Sequence, residues 1–110
     1  MKGTRKPTVE EKALHDRMAR EIGCIACLKD GHKNTWVSIH HIEGRTKEGC
    51  HMLVLPLCGV HHQHDDTDPL QRIGIHPYKA RFEAKYGAQH DLLEEVYAAL
   101  GLVNKKARAA

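Results

Sequence analysis

Residues able to do chemistry concentrate between Ile39 and Asp66, in the stretch IHHIEGRTKEGCHMLVLPLCGVHHQHDD. Two adjacent histidine pairs, His40-His41 and His61-His62, bracket its middle, and Leu57-Cys58 lies just before the second pair. Six of the ten histidines (His40, His41, His51, His61, His62 and His64) and two of the four cysteines fall here. Imidazole is the side chain best suited to hold a borderline metal ion and to move a proton near neutral pH. Such density points to a metal site that does chemistry.

The cysteines suggest a second kind of site. Cys24-x2-Cys27 and Cys58-x2-His61 are two ligand pairs whose two-residue gaps let both side chains of a pair converge on one tetrahedral ion. A Cys3His set of Cys24, Cys27, Cys58 and His61 fills the coordination sphere and leaves no place for water or substrate. The expectation is a structural Zn2+ tying the N-terminal helix to the centre of the chain. Cys50 fits neither pair and reads as a bystander.

With His61 assigned to zinc, His62 is left with a different task. Neighbours on a helix point about 100° apart, and neighbours on a strand point to opposite faces. One histidine from each pair can therefore meet at a second, open site. Metal-assisted phosphodiester cleavage needs this layout: an ion to neutralise charge on the phosphate and leaving oxygen, and a separate imidazole to take a proton from water.

The elements that must position these groups can be read in outline. Thr8 and Glu11 have capping-box spacing, and Leu14, Met18 and Ile22 recur on one face, giving a helix over 8–22 closed by Gly23. Lys29 to Asn34 reads as a polar turn. Trp36-Val37-Ser38-Ile39 has strand composition and leads into His40 and His41; Leu53-Val54-Leu55 is a second short strand. Pro56 is placed to start a helix carrying Cys58, His61 and His62, ended by Asp65, Asp66, Asp68 and Pro69. Pro77 opens another helix with Tyr78, Phe82 and Tyr86, stopped by Gly87. A last helix holds Leu92, Leu93, Val96 and Leu100 and stops at Gly101. Both of these later helices read as scaffold, and the centre as a β-β-α unit. His15, His32 and His90 lie outside the motifs and read as surface residues.

A chain of 110 residues with 5% aromatic content makes one domain with a modest core, which a metal staple would strengthen. No run approaches the roughly 18 apolar residues of a membrane span, and MKGTRKPTVEEK lacks the apolar region of a secretory signal. A cytoplasmic setting is expected, where thiols stay reduced and cysteines serve metals. The net charge is +3. Lys2, Arg5 and Lys6 form a basic arm, Lys105, Lys106 and Arg108 a basic tail, and Arg72, Lys79, Arg81 and Lys85 follow the second histidine pair. Such clusters can track a phosphate backbone or be ordinary solvated faces. The expected organisation is a flexible arm over 1–7, a domain over 8–103 and a flexible tail over 104–110.

His40-His41-Ile42, a loop, then Leu57-Cys58-x2-His61-His62 resembles the HNH nucleases of the His-Me finger superfamily. The resemblance implies an α+β fold with a zinc-stapled ββα-metal core and an endonuclease hydrolysing DNA. Carried over by position, His41 is the general base, and His40 and His62 hold the catalytic ion. Cys58 and His61 stand where many members have half of a zinc knuckle. The sequence departs from the pattern at Leu53, where members commonly carry Asn to orient the base; a backbone carbonyl or His51 is the expected substitute.

The longer run of HHIEG, His51, PLCGVHH, Ile75-His76, Phe82-Glu83-x2-Tyr86-Gly87 and Leu92-Leu93 resembles the phage recombination-enhancement (Ref-like) nucleases. That likeness implies dependence on RecA, with cutting where a RecA filament has paired a strand with duplex, inside a bacterial host. His51 and His76 are further candidates for the catalytic ion's sphere or for phosphate contact, with core histidine as the alternative. Arg45 and Lys47, in the loop after His41, are the candidates for DNA contact. The expected catalytic ion is Mg2+ or Mn2+, with Zn2+ as a substitute in crystals. The competing readings are a non-catalytic zinc-stabilised DNA-binding module and a metal-storage or metal-sensing protein.

Overall fold

A computed structural model of the chain describes residues 6–102. Lys2 and Arg5 of the expected arm, and the whole expected tail with Lys105, Lys106 and Arg108, lie outside the described residues. Among those described, no helix is long and apolar enough to cross a membrane.

The chain is α+β, with a two-stranded antiparallel sheet among helices. Helix α1 (Val9–Arg17) starts at a complete capping box: the Thr8 hydroxyl accepts from the Glu11 amide, and the Glu11 carboxylate from the Thr8 amide. The helix widens into a π-turn over Met18–Ile22, and Gly23 ends it at φ 73°. Glycine is needed there twice over. The positive φ suits it, and a Cβ would stand 2.4 Å from the Asn34 carbonyl oxygen. That close approach lets the Cys24 amide donate to the same carbonyl, which fixes the start of the next element.

Helix α2 (Ile25–Lys29) follows, so the first cysteine pair sits on a short helix capped by Cys24 itself. Strand β1 (Val37–His41) pairs with β2 (Val54–Cys58) in a register that sets His40 opposite Leu55 and His41 opposite Val54. A one-turn 3-10 helix (Cys50–Met52) leads into β2. Helix α3 (Gly59–His62) follows β2 without a gap, and α4 (Ile75–Tyr86) and α5 (Gln89–Ala99) complete the chain.

The expected helix from Pro56 is corrected here. Pro56 and Cys58 belong to β2, which is buried along its whole length, and only His61 and His62 lie on α3. In a two-stranded sheet both strands are edges, where proline is tolerated, and burial favours an apolar strand over a solvent-facing helix. The expected end of that helix at Asp65–Pro69 also moves. α3 stops at His62, because Gln63 turns to extended backbone (φ −127°, ψ 116°) and bridges to His76. Asp65 then makes its own turn by accepting from the Thr67 amide and hydroxyl.

The core joins Met18, β2 residues Val54, Leu55 and Leu57, Phe82 of α4, and Leu92, Leu93, Val96 and Tyr97 of α5. The lone tryptophan adds nothing to it: Trp36 is 86% exposed. The buried cysteines Cys24, Cys27 and Cys58 join this apolar cluster and sit where α2, β2 and α3 meet.

Candidate functional site: two histidine-bearing clusters on one sheet

The β2–α3 junction separates two jobs. On α3, His61 points into the protein with no exposure, toward α2, and His62 points the other way, toward β1. Around His61, Cys24, Cys27 and Cys58 form a buried set whose ligand atoms all lie within 4.8 Å of one another. The His61 Nδ1 is 3.4 Å from Cys24 Sγ, 3.5 Å from Cys27 Sγ and 3.2 Å from Cys58 Sγ. None of these cysteines is in a disulfide. The set could hold a metal ion such as zinc, and its surroundings fit one.

Each sulfur and the imidazole have supporting contacts. His61 Nε2 donates to Tyr86 Oη at 3.0 Å, and that hydroxyl donates to Asp30 Oδ2 at 2.7 Å. This chain of donors fixes the ring so that Nδ1 presents its lone pair to the sulfurs. The Asn34 amide and the Arg72 guanidinium donate to Cys27 and Cys58 at 3.7 and 3.8 Å, where they offset thiolate charge. Hydrogen bonding from the Cys24 thiol, helped by His61, holds the Cys58 thiol well below its ordinary range, and the same bond together with burial pushes Cys24 up. A divalent ion held by the set would favour the thiolate form of all three cysteines.

The second cluster is imidazole only. His40, His62 and His76 bring ligand atoms within 4.8 Å of one another, with ring centroids 5.2 to 5.4 Å apart. His40 is buried, His62 half-buried and His76 exposed, so the group is closed on one side and open on the other. Neighbours set the tautomers. His40 Nε2 lies 2.7 Å from Gln89 Oε1, which can only accept, so Nε2 carries the proton and Nδ1 is left with its lone pair. Gln89 is held in turn by its own amide donating to Glu83. His62 Nδ1 is 2.7 Å from Ser38 Oγ, whose hydroxyl points at the Leu57 carbonyl; the imidazole therefore donates and Nε2 is free to ligate. Burial holds His40 down to about 4 and lowers His62 as well, which keeps both rings neutral at pH 7.

His76 reaches this cluster because its backbone is extended (φ −106°, ψ 114°) at the irregular entry to α4, where it bridges in parallel to Gln63. The His64 amide donates to the His76 carbonyl, and the Gly74 amide donates to His64 Nδ1. Contact is so close that a Cβ on Gly74 would stand 2.2 Å from the His64 nitrogen.

His41, on the opposite face of β1 from His40, forms a third arrangement. Its Nε2 is 2.9 Å from His51 Nδ1, while Arg45 Nε donates to its Nδ1 at 3.3 Å. With Nδ1 accepting, Nε2 carries the proton and donates to His51. Burial first, then the Arg45 charge, holds His41 down to about 4. His51 is buried on the 3-10 turn before β2, and His15 Nε2 donates to its carbonyl at 2.7 Å. The reading of His15 as a surface residue is therefore corrected: it is half-buried, with its ring 6.1 Å from that of His51 and 6.3 Å from that of His41. Burial of His15 follows from its place on α1, one residue after the core residue Leu14.

A cavity of about 480 Å³ opens on these groups; His40, His41, His62 and His76 line it, together with Arg45 and Lys79. Lys47 does not reach it and is paired with Glu43. Of the other basic residues after the second histidine pair, Arg72 is locked to Asp68 at 2.7 Å, Arg81 lies over the Tyr78 ring, and Lys85 lies over Tyr86 near Asp30. Gln89, Tyr86, Asp30 and Ser38 have structural parts in these clusters that sequence reading passed over. No local signal marked them, since each meets its histidine only through packing of distant elements.

The family model described as "Recombination enhancement, RecA-dependent nuclease" matches residues 7–101, which includes every residue of both clusters. The chain belongs to the recombination-enhancement, RecA-dependent nuclease family.

Proposed function

We propose that the chain is an HNH-type DNA endonuclease with a ββα-metal core formed by β1, β2 and α3. The observation that carries this reading is the placement of His41: a neutral imidazole, oriented by His51, in the same cavity as a three-imidazole cluster but outside it. In this reading His40, His62 and His76 hold one Mg2+ or Mn2+ ion, and Cys24, Cys27, Cys58 and His61 hold a structural Zn2+. When bound, the catalytic ion supplies charge neutralisation at the scissile phosphate and at the oxygen that leaves.

The chain's own residues do the rest. The His41 Nδ1 lone pair takes a proton from water as the water oxygen bonds to phosphorus, and the bond to the leaving oxygen breaks. In the free protein Arg45 donates to that same nitrogen. An arriving phosphate is a stronger partner for a guanidinium than a neutral imidazole is, so substrate draws Arg45 off Nδ1 and frees the base. The same negative charge raises the affinity of His41 for a proton when the proton must move. His51 accepts from Nε2–H and keeps the ring in the reactive tautomer, which answers the absence of Asn at Leu53. Arg45 and Lys79 are the backbone contacts at the cavity, with Lys47 at its margin.

Nicking of supercoiled plasmid with Mg2+, Mn2+ or EDTA, with and without a RecA filament on a matching oligonucleotide, tests the reading. Metal-dependent cutting that requires the filament is expected. Zinc-loaded protein that binds DNA but cuts under none of these conditions would instead favour a non-catalytic binding module.

A further inference from the structure

A second cavity, of about 550 Å³, lies on the other side of His41. Lys6, Pro7, His15 and His51 line it, and it shares Ile39, His41, Arg45 and His62 with the first cavity. The two are therefore chambers of one groove, and the shared wall holds the residues nearest the proposed chemistry. Each chamber is within the roughly 300–1,000 Å³ range of a small-ligand pocket, which suits a nucleotide unit of one strand.

Charge separates this groove from other hollows of the surface. The chain has 14 acidic residues, and none lines either chamber. Two further cavities do carry carboxylates, Asp65 and Asp66 in one and Glu10 in the other. The groove instead has Lys6 in the second chamber, Lys79 in the first and Arg45 between them. A chain of anions, and not a single phosphate, matches three cations spread along a two-chambered path.

We propose that one DNA strand runs through both chambers, with the scissile phosphate at the shared wall, the neighbouring phosphate on Lys6, and its sugar and base against Pro7 and Ile39. The proposal rests on the nuclease reading for the position of the cut, and it makes the second chamber a nucleotide subsite.

Binding of a labelled single-stranded oligonucleotide, followed by fluorescence anisotropy over a salt series without added divalent ions, tests it. Lys6 is exposed and precedes the Thr8 cap, so Lys6→Ala leaves α1 intact. The variant is expected to bind severalfold more weakly at low salt. Its slope of log K against log salt should fall by about 0.7, the loss of one single-strand phosphate contact. Lys33→Ala, an exposed lysine outside the groove, should change neither value. An unchanged slope in Lys6→Ala, or an equal fall in Lys33→Ala, overturns the subsite. Cleavage of the same oligonucleotide is scored separately. Cutting with an unchanged Lys6→Ala slope removes the subsite and leaves the nuclease; a lowered slope without cutting under any ion keeps the groove and removes the nuclease.

Discussion

Adjacent histidines take different roles here because each is fixed by what its second ring nitrogen touches. His40 donates a hydrogen bond to Gln89, His62 to Ser38 and His41 to His51, which leaves the lone pair of each ring on its other nitrogen, where that of His41 accepts from Arg45. Replacing Gln89 by Leu removes the acceptor for His40 and frees the ring to turn. The expected result is a loss of about 10–100-fold in Mn2+ affinity at the second cluster, read by titration, with zinc content unchanged. Affinity equal to wild type would mean that packing alone orients His40. The histidine pairs and the Cys-x2-Cys and Cys-x2-His spacings were legible in the sequence because local geometry dictates which neighbours diverge. Gln89 was not, since 49 residues separate it from His40 and only the packing of α5 brings the two together.

At the scale of elements, the site depends on a few tight junctions. β2 runs straight into α3, which turns Cys58 and His61 to one side and His62 to the other. The entry to α4 carries His76 to the same place only because Gly74 packs directly on the His64 backbone. Gly74→Ala should destabilise the fold by about 1–3 kcal/mol in urea unfolding and displace His76 from the cluster. A variant of wild-type stability would show that the junction can relax. Capping and glycine stops made α1, α4 and α5 legible, because those signals act within one turn. Pro56 misled, since proline's preference for a helix start is weak beside the burial of a whole strand between α2 and α5. The second tyrosine of α4 misled in another way. Tyr86 has the four-residue spacing of a core face and is indeed buried, but its hydroxyl also links His61 to Asp30.

For the whole molecule, the Cys3His cluster gathers residues of α2, β2 and α3 at one buried point, in a chain whose only tryptophan is outside the core. Cys27→Ser removes a fully buried ligand and leaves a polar hydroxyl among sulfurs. Its melting temperature should fall by more than about 10 °C, given about 4–8 °C per kcal/mol for a domain of this size, and bound zinc should drop in parallel. An unchanged melting temperature would contradict the staple. Composition pointed to such a staple, through few aromatics and an expected reducing setting. It could not show that Arg72, one of a basic cluster open to either phosphate contact or a solvated face, is bound to Asp68 and faces Cys58.

The central claim is a division of labour between His41, as base, and the cluster of His40, His62 and His76, as ion site. Single-turnover DNA cleavage by His41→Ala at saturating Mn2+, with ion binding measured on the same sample, tests it most directly. The account predicts a rate at least about 10²-fold below wild type with both zinc content and Mn2+ binding retained. Cleavage at the wild-type rate would contradict it.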